Sequence, residues 1–314
     1  MMFDKVLTIT VNPALDATLW LSALDFDEPV KATRETVCAG GKALNVARVL
    51  TSLGIPARLT GLAGQQNILS LEKLLLKDKV DFDLIPVRGA VRENLTLVLP
   101  DGRVLKVNRM GSPPERRALS ELKSKIRTVL REHTGVLVVF AGSLPPSMTK
   151  EDYKEIIRYT QKLGAPVAVD TPFFTQEDYQ QIKPFAIKPN LTELKTVLGR
   201  SLRGDASVVK AARELSKDVE HVLISLGCKG LVYANREKTV RVCVPQVEVK
   251  STVGAGDTTL AAFLAQLSRK GDPVAAARYA AAAGTASVTL DGTGVITRTM
   301  VEKILPEVLE QGNR

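Results

Sequence analysis

The sequence predicts an α/β fold: a mostly parallel central sheet covered by helices on both faces, with a small separate β-sheet. Three observations carry this. Short apolar strand-like runs alternate with helical runs along most of the chain, the order expected of strand–helix–strand units. Two stretches, at about 17–38 and 90–110, interrupt that rhythm with strand-like residues and no helix. The 314 residues are 45% apolar and 25% charged, a globular balance in a chain long enough to bury a sizeable core.

In chain order, Val6–Val11 reads as a strand and Ala43–Leu53 as a helix ended by Gly54. Strand Ala57–Leu62 and a helical stretch around Leu69–Lys77 follow. Further on come strand Val136–Ala141, helix Lys150–Leu163, strand Pro166–Asp170, a short strand Phe185–Lys188 and a helix from Thr192. His221–Ser225 and Val242–Val249 read as strands, and the final third as helices Asp257–Arg269, Pro273–Val288 and Arg298–Leu309. The two exceptional stretches carry Ala17-Thr18-Leu19-Trp20-Leu21, Ala32–Cys38, and a hairpin Leu95–Leu99 and Val104–Val107 turning at Pro100-Asp101-Gly102-Arg103. The whole of 1–314 thus reads as one α/β unit with a small sheet inserted from two places, expected as a lid over a site or an oligomer interface; the alternative is a decorated edge of the main sheet.

Composition excludes several classes. No apolar run approaches the 18 residues of a membrane-spanning helix. The start, Met1-Met2-Phe3-Asp4-Lys5, lacks a leader pattern, so a cytoplasmic protein is expected. A net charge of +9 favours anionic ligands, but the basic residues are scattered and aromatics are only 4%, so no nucleic-acid partner is expected. The three cysteines, Cys38, Cys228 and Cys243, are far apart, which fits reduced thiols; with only two histidines they make no zinc site.

The most informative segment is Ser251-Thr252-Val253-Gly254-Ala255-Gly256-Asp257-Thr258-Thr259, which opens a helix. Its glycines permit a tight turn at a helix start, where unpaired N–H groups and the helix dipole favour an anion. Asp257 beside such an anion hole is suited to deprotonating a hydroxyl that attacks a phosphoryl group, or else it only caps the helix. The segment is neither a Walker A loop nor G-x-G-x-x-G, because Thr259 stands at the last glycine position.

Six motifs in order extend this: Asn12-Pro13-Ala14-Leu15-Asp16; Ala39-Gly40-Gly41-Lys42-Ala43-Leu44-Asn45; Gly142-Ser143-Leu144-Pro145-Pro146; Lys188-Pro189-Asn190 with Glu193; Ser225-Leu226-Gly227 with Gly230; and Thr252–Asp257. Together they resemble the PfkB, or ribokinase-like, carbohydrate kinases over essentially the whole chain. Asn-Pro-x-x-Asp and the Arg92, Asn94 pair resemble the branch that phosphorylates ketohexose phosphates. The resemblance implies a ribokinase-like three-layer sandwich with a β-sheet lid, and ATP and Mg²⁺ as cofactors. A homodimer is expected from the lid sheet itself, whose edges and apolar face a second subunit would cover. The resemblance leaves open a kinase of an unphosphorylated sugar or nucleoside, and a non-catalytic nucleotide or sugar-phosphate sensor.

The roles it implies are these. Asp257 is the general base, with Gly254, Ala255 and Gly256 supplying amides to the transferring phosphoryl. Asp16, Gly40, Gly41, Lys42, Asn45, Arg92 and Ser143 bind the sugar phosphate, Arg92 by its planar fork. Lys188, Asn190, Glu193, Ser225, Gly227, Gly230 and Thr285 bind the nucleotide, with Asn190 and Glu193 holding Mg²⁺ through waters. Asn190 and Glu193 also fit a capping box, and the two uses are compatible. Ser251, Val253, Ser287, Gly292 and Gly294 would surround a monovalent cation such as K⁺. Two positions depart from the family pattern: Ala43 where Gly-Gly-Lys-Gly is usual, and Ser147 where a glycine usually follows Pro-Pro.

Overall fold

A computed structural model describes residues 3–25, 27–292 and 294–312. Met1 and Met2, part of the start read as lacking a leader, lie outside the described residues. Along the chain run β1 (Lys5–Thr10), β2 (Ala14–Leu21), β3 (Ala32–Gly40), α1 (Lys42–Ser52), β4 (Ala57–Gly64), α2 (Ile68–Lys77), β5 (Asp81–Val87), β6 (Arg92–Val98) and β7 (Val104–Asn108). Next come α3 (Arg116–Glu132), β8 (Val136–Ala141), α4 (Lys150–Lys162), β9 (Val167–Asp170), α5 (Gln176–Ile182), β10 (Ala186–Ile187), α6 (Leu191–Leu198), α7 (Gly204–Leu215) and β11 (His221–Ser225). The chain continues through β12 (Leu231–Ala234), β13 (Thr239–Cys243), α8 (Ala255–Lys270), α9 (Pro273–Val288), α10 (Arg298–Ile304) and β14 (Leu309–Gly312).

The large sheet has the order β14-β13-β12-β11-β10-β9-β8-β1-β4-β5. From β5 to β11 the pairing is parallel, and β12, β13 and β14 close the other edge antiparallel. Its central strands are buried on both faces, so they read as continuous apolar runs, Val136–Ala141 being fully buried. One core packs α1, α8 and α9 on one face, with Leu44, Leu50, Phe263 and Ala280 among its members. The other packs α3 to α7 on the opposite face, with Leu122, Tyr153, Tyr179 and Ala212. Three layers result. The alanines of α9 let it lie close to α8, and a side chain at Gly284 would meet Thr259 Oγ1 at 2.5 Å. Among the described residues no helix is long and apolar enough to cross a membrane.

The small sheet has the order β3-β2-β6-β7, two hairpin-like pairs joined by parallel pairing of β2 with β6. It begins earlier than the sequence suggests: β2 reaches back to Ala14 and β6 to Arg92, which places Asp16 and Asn94 inside strands.

Two sequence expectations are corrected. The helix expected over Arg298–Leu309 stops at Ile304; a short 3₁₀ turn, Leu305–Glu307, then leads into β14, whose Leu309 pairs with Cys243. Pro306 cannot continue the α-helical hydrogen-bond ladder, which accounts for the change. The strand expected over Val242–Val249 ends at Cys243. Pro245, with no N–H to donate, follows at once.

Candidate active site

Parallel strands deliver their carboxyl ends to one edge of the sheet, where α/β proteins bind ligands. Here β1 leads to Asn12, β8 to Ser143, β9 ends on Asp170, β10 leads to Lys188 and Asn190, and β11 ends on Ser225. Asn12 ties the loops together: its Nδ2 donates to Met110 O at 3.0 Å, Leu144 O at 3.1 Å and Ser143 Oγ at 3.3 Å.

Asp257 lies in the first turn of α8, whose N-cap is Gly254 in the left-handed region (φ 76°). The N-cap position belongs to Gly254, not to Asp257, which stands three residues further on. Its Oδ2 instead accepts from Asn45 Nδ2 at 2.7 Å, so the capping role left open by the sequence is not the one it plays. The residue is 6% exposed, and the nearest charges are those of the cleft: Asp170, Lys42 and Lys188. Burial, with the negative charge of Asp170 adding to it, pushes the Asp257 carboxyl up to about 7, while Asn45 and the two lysines work the other way. A carboxyl tuned near neutrality is fitted to take a proton from an alcohol.

Two lysines organise the floor of the cleft. Lys42 Nζ donates to Asp170 Oδ1 at 2.9 Å and to Glu193 Oε1 at 2.8 Å. Burial alone would lower its pKa, but the two carboxylates prevail and hold it above the usual lysine range. Lys188, 3% exposed, lies 3.5 Å from Asp170 Oδ2 and beside Gly256, where an added Cβ would stand 2.9 Å from its Nζ. Asp170 stays ionised despite burial because Lys188 and Lys42 flank it. An ammonium therefore sits at the amide-rich start of α8, which strengthens its attraction for anions.

Asp170 was not singled out from the sequence. Its only signal there is a carboxylate closing a buried parallel strand. Lys42, expected on the sugar, gives two of its three N–H donors to Asp170 and Glu193.

On the other side of α1, Asp16 Oδ1 accepts from Asn94 Nδ2 at 2.8 Å. Burial raises the Asp16 carboxyl; Asn94, Arg92 and Lys106 oppose it. Gly40 is required here, because any Cβ would collide with the Asp16 carboxylate. Arg92 donates Nη1 to Arg109 O at 3.2 Å, and desolvation lowers its pKa against the pull of Asp16. Asn45 Oδ1, Arg92 Nε and Asn94 Oδ1 are buried with no hydrogen-bond partner among the described residues. Orphaned polar atoms cost stability unless a ligand or water meets them.

A cavity of about 580 Å³ opens on the opposite side. Asn190, Ser225, Gly227, Gly230, Ala255, Gly256 and Thr285 line it, bringing most of the expected nucleotide residues together. Leu226, Val244, Pro245, Val247, Val249 and Val288 give it an apolar wall, of which only Leu226 fell within a motif the sequence singled out. Lys188 lies outside the lining, under Gly256. Thr285 spends its hydroxyl on Ala281 O at 2.9 Å, leaving its methyl group and remaining lone pairs to the cavity.

Asn190 and Glu193 form a full capping box at α6: Asn190 Oδ1 accepts from Thr192 N and Glu193 N, and Glu193 Oε2 from Asn190 N, all at 2.9 Å. With Glu193 Oε1 on Lys42, every oxygen of the pair is engaged, and among the described residues no cluster of three acidic, His or Cys side chains could hold a metal. Oxygens so engaged keep lone pairs that suit the waters of a hydrated divalent ion.

Of the positions expected around a monovalent cation, Val253 and Gly294 line one small hollow with Asn45 and Gly254. Ser251 Oγ accepts from Val253 N–H at 3.2 Å and Ser287 Oγ donates to Gly284 O at 2.7 Å. Gly292 is exposed and lines neither hollow. The oxygens on offer are neutral, as suits a singly charged ion more than Mg²⁺.

Amides that attract anions, beside a buried carboxyl poised near neutrality and a cavity of nucleotide size, are the equipment of a phosphoryl-transfer enzyme. The model of the pfkB family of carbohydrate kinases matches residues 6–300, and the chain belongs to that family. The 1-phosphofructokinase of Vibrio cholerae serotype O1 is 29% identical over 308 residues, which cover 98% of this chain and 96% of that one. The tagatose-6-phosphate kinase of Staphylococcus epidermidis is 26% identical over 307 residues, covering 96% of this chain and 98% of its own. Phosphofructokinase-2 from Escherichia coli, solved in complex with substrates and products, matches with a TM-score of 0.87 at 27% identity, over 96% of this chain and 98% of that one. The same protein in complex with potassium gives 0.88 at 26% identity and the same coverage.

Proposed function

We propose that this chain is an ATP-dependent kinase that phosphorylates a ketohexose phosphate, of the 1-phosphofructokinase, tagatose-6-phosphate kinase or 6-phosphofructokinase type. The observation that carries this is the placement of Asp257. Its neighbour Gly256 lines the cavity, and its partner Asn45 stands on the helix that begins beside Asp16. The base is thus shared between a nucleotide side and a sugar side.

In this reading Asp257 takes the proton of the acceptor hydroxyl as the oxygen attacks the γ-phosphorus, and ADP leaves in line. The amides of Gly254, Ala255, Gly256 and Asp257, helped by Lys188, stabilise charge on the transferring group. Asp16 and Asn94 orient sugar hydroxyls, Gly40 and Gly41 let the ligand approach, and Asn45 steadies the base. Arg92, with an orphaned Nε, grips the phosphate already on the substrate, and Ser143 adds a hydroxyl near it. Lys42 spends two of its three N–H donors on Asp170 and Glu193 and has the third, on a side chain 27% exposed, for the sugar phosphate. Ser225, Gly227, Gly230 and Thr285 line the nucleotide side. A hydrated Mg²⁺ near Asn190 and Glu193 would neutralise nucleotide phosphate charge. The carbonyls around Val253 and Gly294 would serve K⁺, with Ser251, Ser287 and Gly292 contributing from their segments.

We also propose a homodimer through the small sheet. Strand register puts Val37, Ala17, Leu95 and Val107 in one row and Glu35, Leu19, Leu97 and Leu105 in the next, on one face that is apolar but for Glu35 at its β3 edge. Asp16, Asn94, Thr96 and Lys106 alternate onto the other face. A second copy would cover the apolar face and leave the polar one over the sugar as a lid that keeps water out. Three free cysteines suit the reducing cytoplasm, where we place the reaction.

The test is ADP release with fructose 1-phosphate, fructose 6-phosphate and tagatose 6-phosphate, with fructose, ribose and adenosine as controls. Turnover on at least one sugar phosphate well above all controls is expected. Activity confined to the unphosphorylated compounds, or none with any, contradicts the assignment.

A further inference from the structure

A second hollow, of about 540 Å³, lies between the end of α7 and the turn joining β12 to β13. It is lined by Arg213, Ser216, Lys217 and the run Asn235–Thr239, which includes Arg236 and Lys238. It stands at the opposite end of the sheet from the cleft. Ala234 pairs with Val222 near the start of β11, whereas Ser225, at the other end of that strand, lines the nucleotide cavity.

Four cations share this hollow with a single acidic lining residue, Glu237. Outside the lining, Glu220 is close enough to feel Arg236. Arg213 donates Nε to Thr239 Oγ1 at 3.4 Å and Arg236 donates Nη2 to Lys217 O at 3.3 Å. None of the four is in an ion pair with a carboxylate among the described residues. Basic residues suit a helix C-terminus, which explains Arg213 and Lys217 but not Arg236 and Lys238. The latter two are held by a fixed turn, in which Asn235 Oδ1 accepts from Glu237 N at 3.1 Å and Lys238 N at 2.7 Å. The backbone that carries these two side chains is therefore set by the turn, and Arg236 reaches from it to the end of α7. Like charges gathered in one concavity repel one another, and an anion relieves that repulsion. The volume falls in the range of small-ligand sites.

We propose that this hollow binds a small, multiply charged phosphate compound, at a site separate from the catalytic cleft. Two guanidinium forks and two ammonium groups match the oxygens of two or more phosphoryl groups better than those of one. Free polyphosphate and a sugar bisphosphate share this chemistry.

Calorimetric titration of the whole protein at about 150 mM salt, where non-specific attraction is screened, tests it. Inorganic tripolyphosphate and fructose 1,6-bisphosphate form separate arms. Each is run with the natural protein, the Lys217→Gln/Lys238→Gln variant, and a control, Lys73→Gln/Lys77→Gln, which removes the same charge from α2. The natural protein should show a binding component that weakens about 10-fold or more in the first variant and persists in the control. The arm showing that component identifies the source, and kcat without added anion should be the same in all three proteins. Identical isotherms for the natural protein and Lys217→Gln/Lys238→Gln, or equal weakening in the control, overturn the proposal.

Discussion

Asp257 occupies a place that is costly for a carboxylate and useful for a base. Its ordinary pKa of 3.8 is pushed up to about 7, chiefly by burial. The folded state therefore prefers the neutral form, and stability is lost as pH rises from about 4 through 7. Asp257→Asn removes that loss. Its melting temperature should exceed that of the natural protein by about 2 °C or more at pH 8, with the gap closing towards pH 4. A lower melting temperature at pH 8 would show that the burial cost is compensated elsewhere. Arg92 offers a second check at this scale. Arg92→Ala should raise KM for the sugar phosphate by about 10–100-fold, the value of hydrogen bonds to a charged group, and leave KM for ATP nearly unchanged. Equal effects on both substrates would remove Arg92 from the sugar phosphate.

The elements that carry the site show what a sequence reveals and what it hides. The turn after β8 holds Ser147 with φ 67°, in the left-handed region where glycine is at ease. That explains why the family pattern has glycine there. Ser147→Gly should raise stability by up to about 1 kcal/mol, since the residue is exposed and relief of strain outweighs the added freedom of the unfolded chain. Thermal melts would check it, and a drop would mean that the hydroxyl has a partner that matters. The α8 start, the α1 start and the Asn190–Glu193 box were all legible, because glycines and capping residues leave local signals. Asp170 was not, because its importance comes from Lys42 and Lys188, far off in sequence and brought together only by the sheet. Pro245 and Pro306 end a strand and a helix that hydrophobicity alone would have continued. α3, with Leu122 and Ile126 on its buried face, is amphipathic by spacing and could have been read. The antiparallel edge formed by β12, β13 and β14 could not, since short strands give no sign of their partners.

At the scale of the molecule, the large sheet gathers loops at one end, and the small sheet, joined to it through the loop after β1, is the lid in the proposed account. Val37, Leu105 and Val107 are 42%, 52% and 46% exposed in the single chain, an apolar strip on a sheet that also presents edges. Leu105→Lys/Val107→Lys should convert a dimer to monomers in sedimentation while the fold, followed by circular dichroism, persists. A natural protein that sediments as a monomer at all concentrations contradicts the proposed interface. The three-layer order followed from alternation of strands and helices. The pairing of β2 with β6, across more than 70 residues, is a tertiary fact that no local pattern encodes.

The most direct measurement is kcat of Asp257→Asn with the best sugar phosphate, compared with the natural protein under saturating ATP. A loss of about 10²–10⁴-fold is expected for removal of a general base, with KM values little changed. Near-normal turnover would contradict the role assigned to Asp257 and, with it, the proposed mechanism.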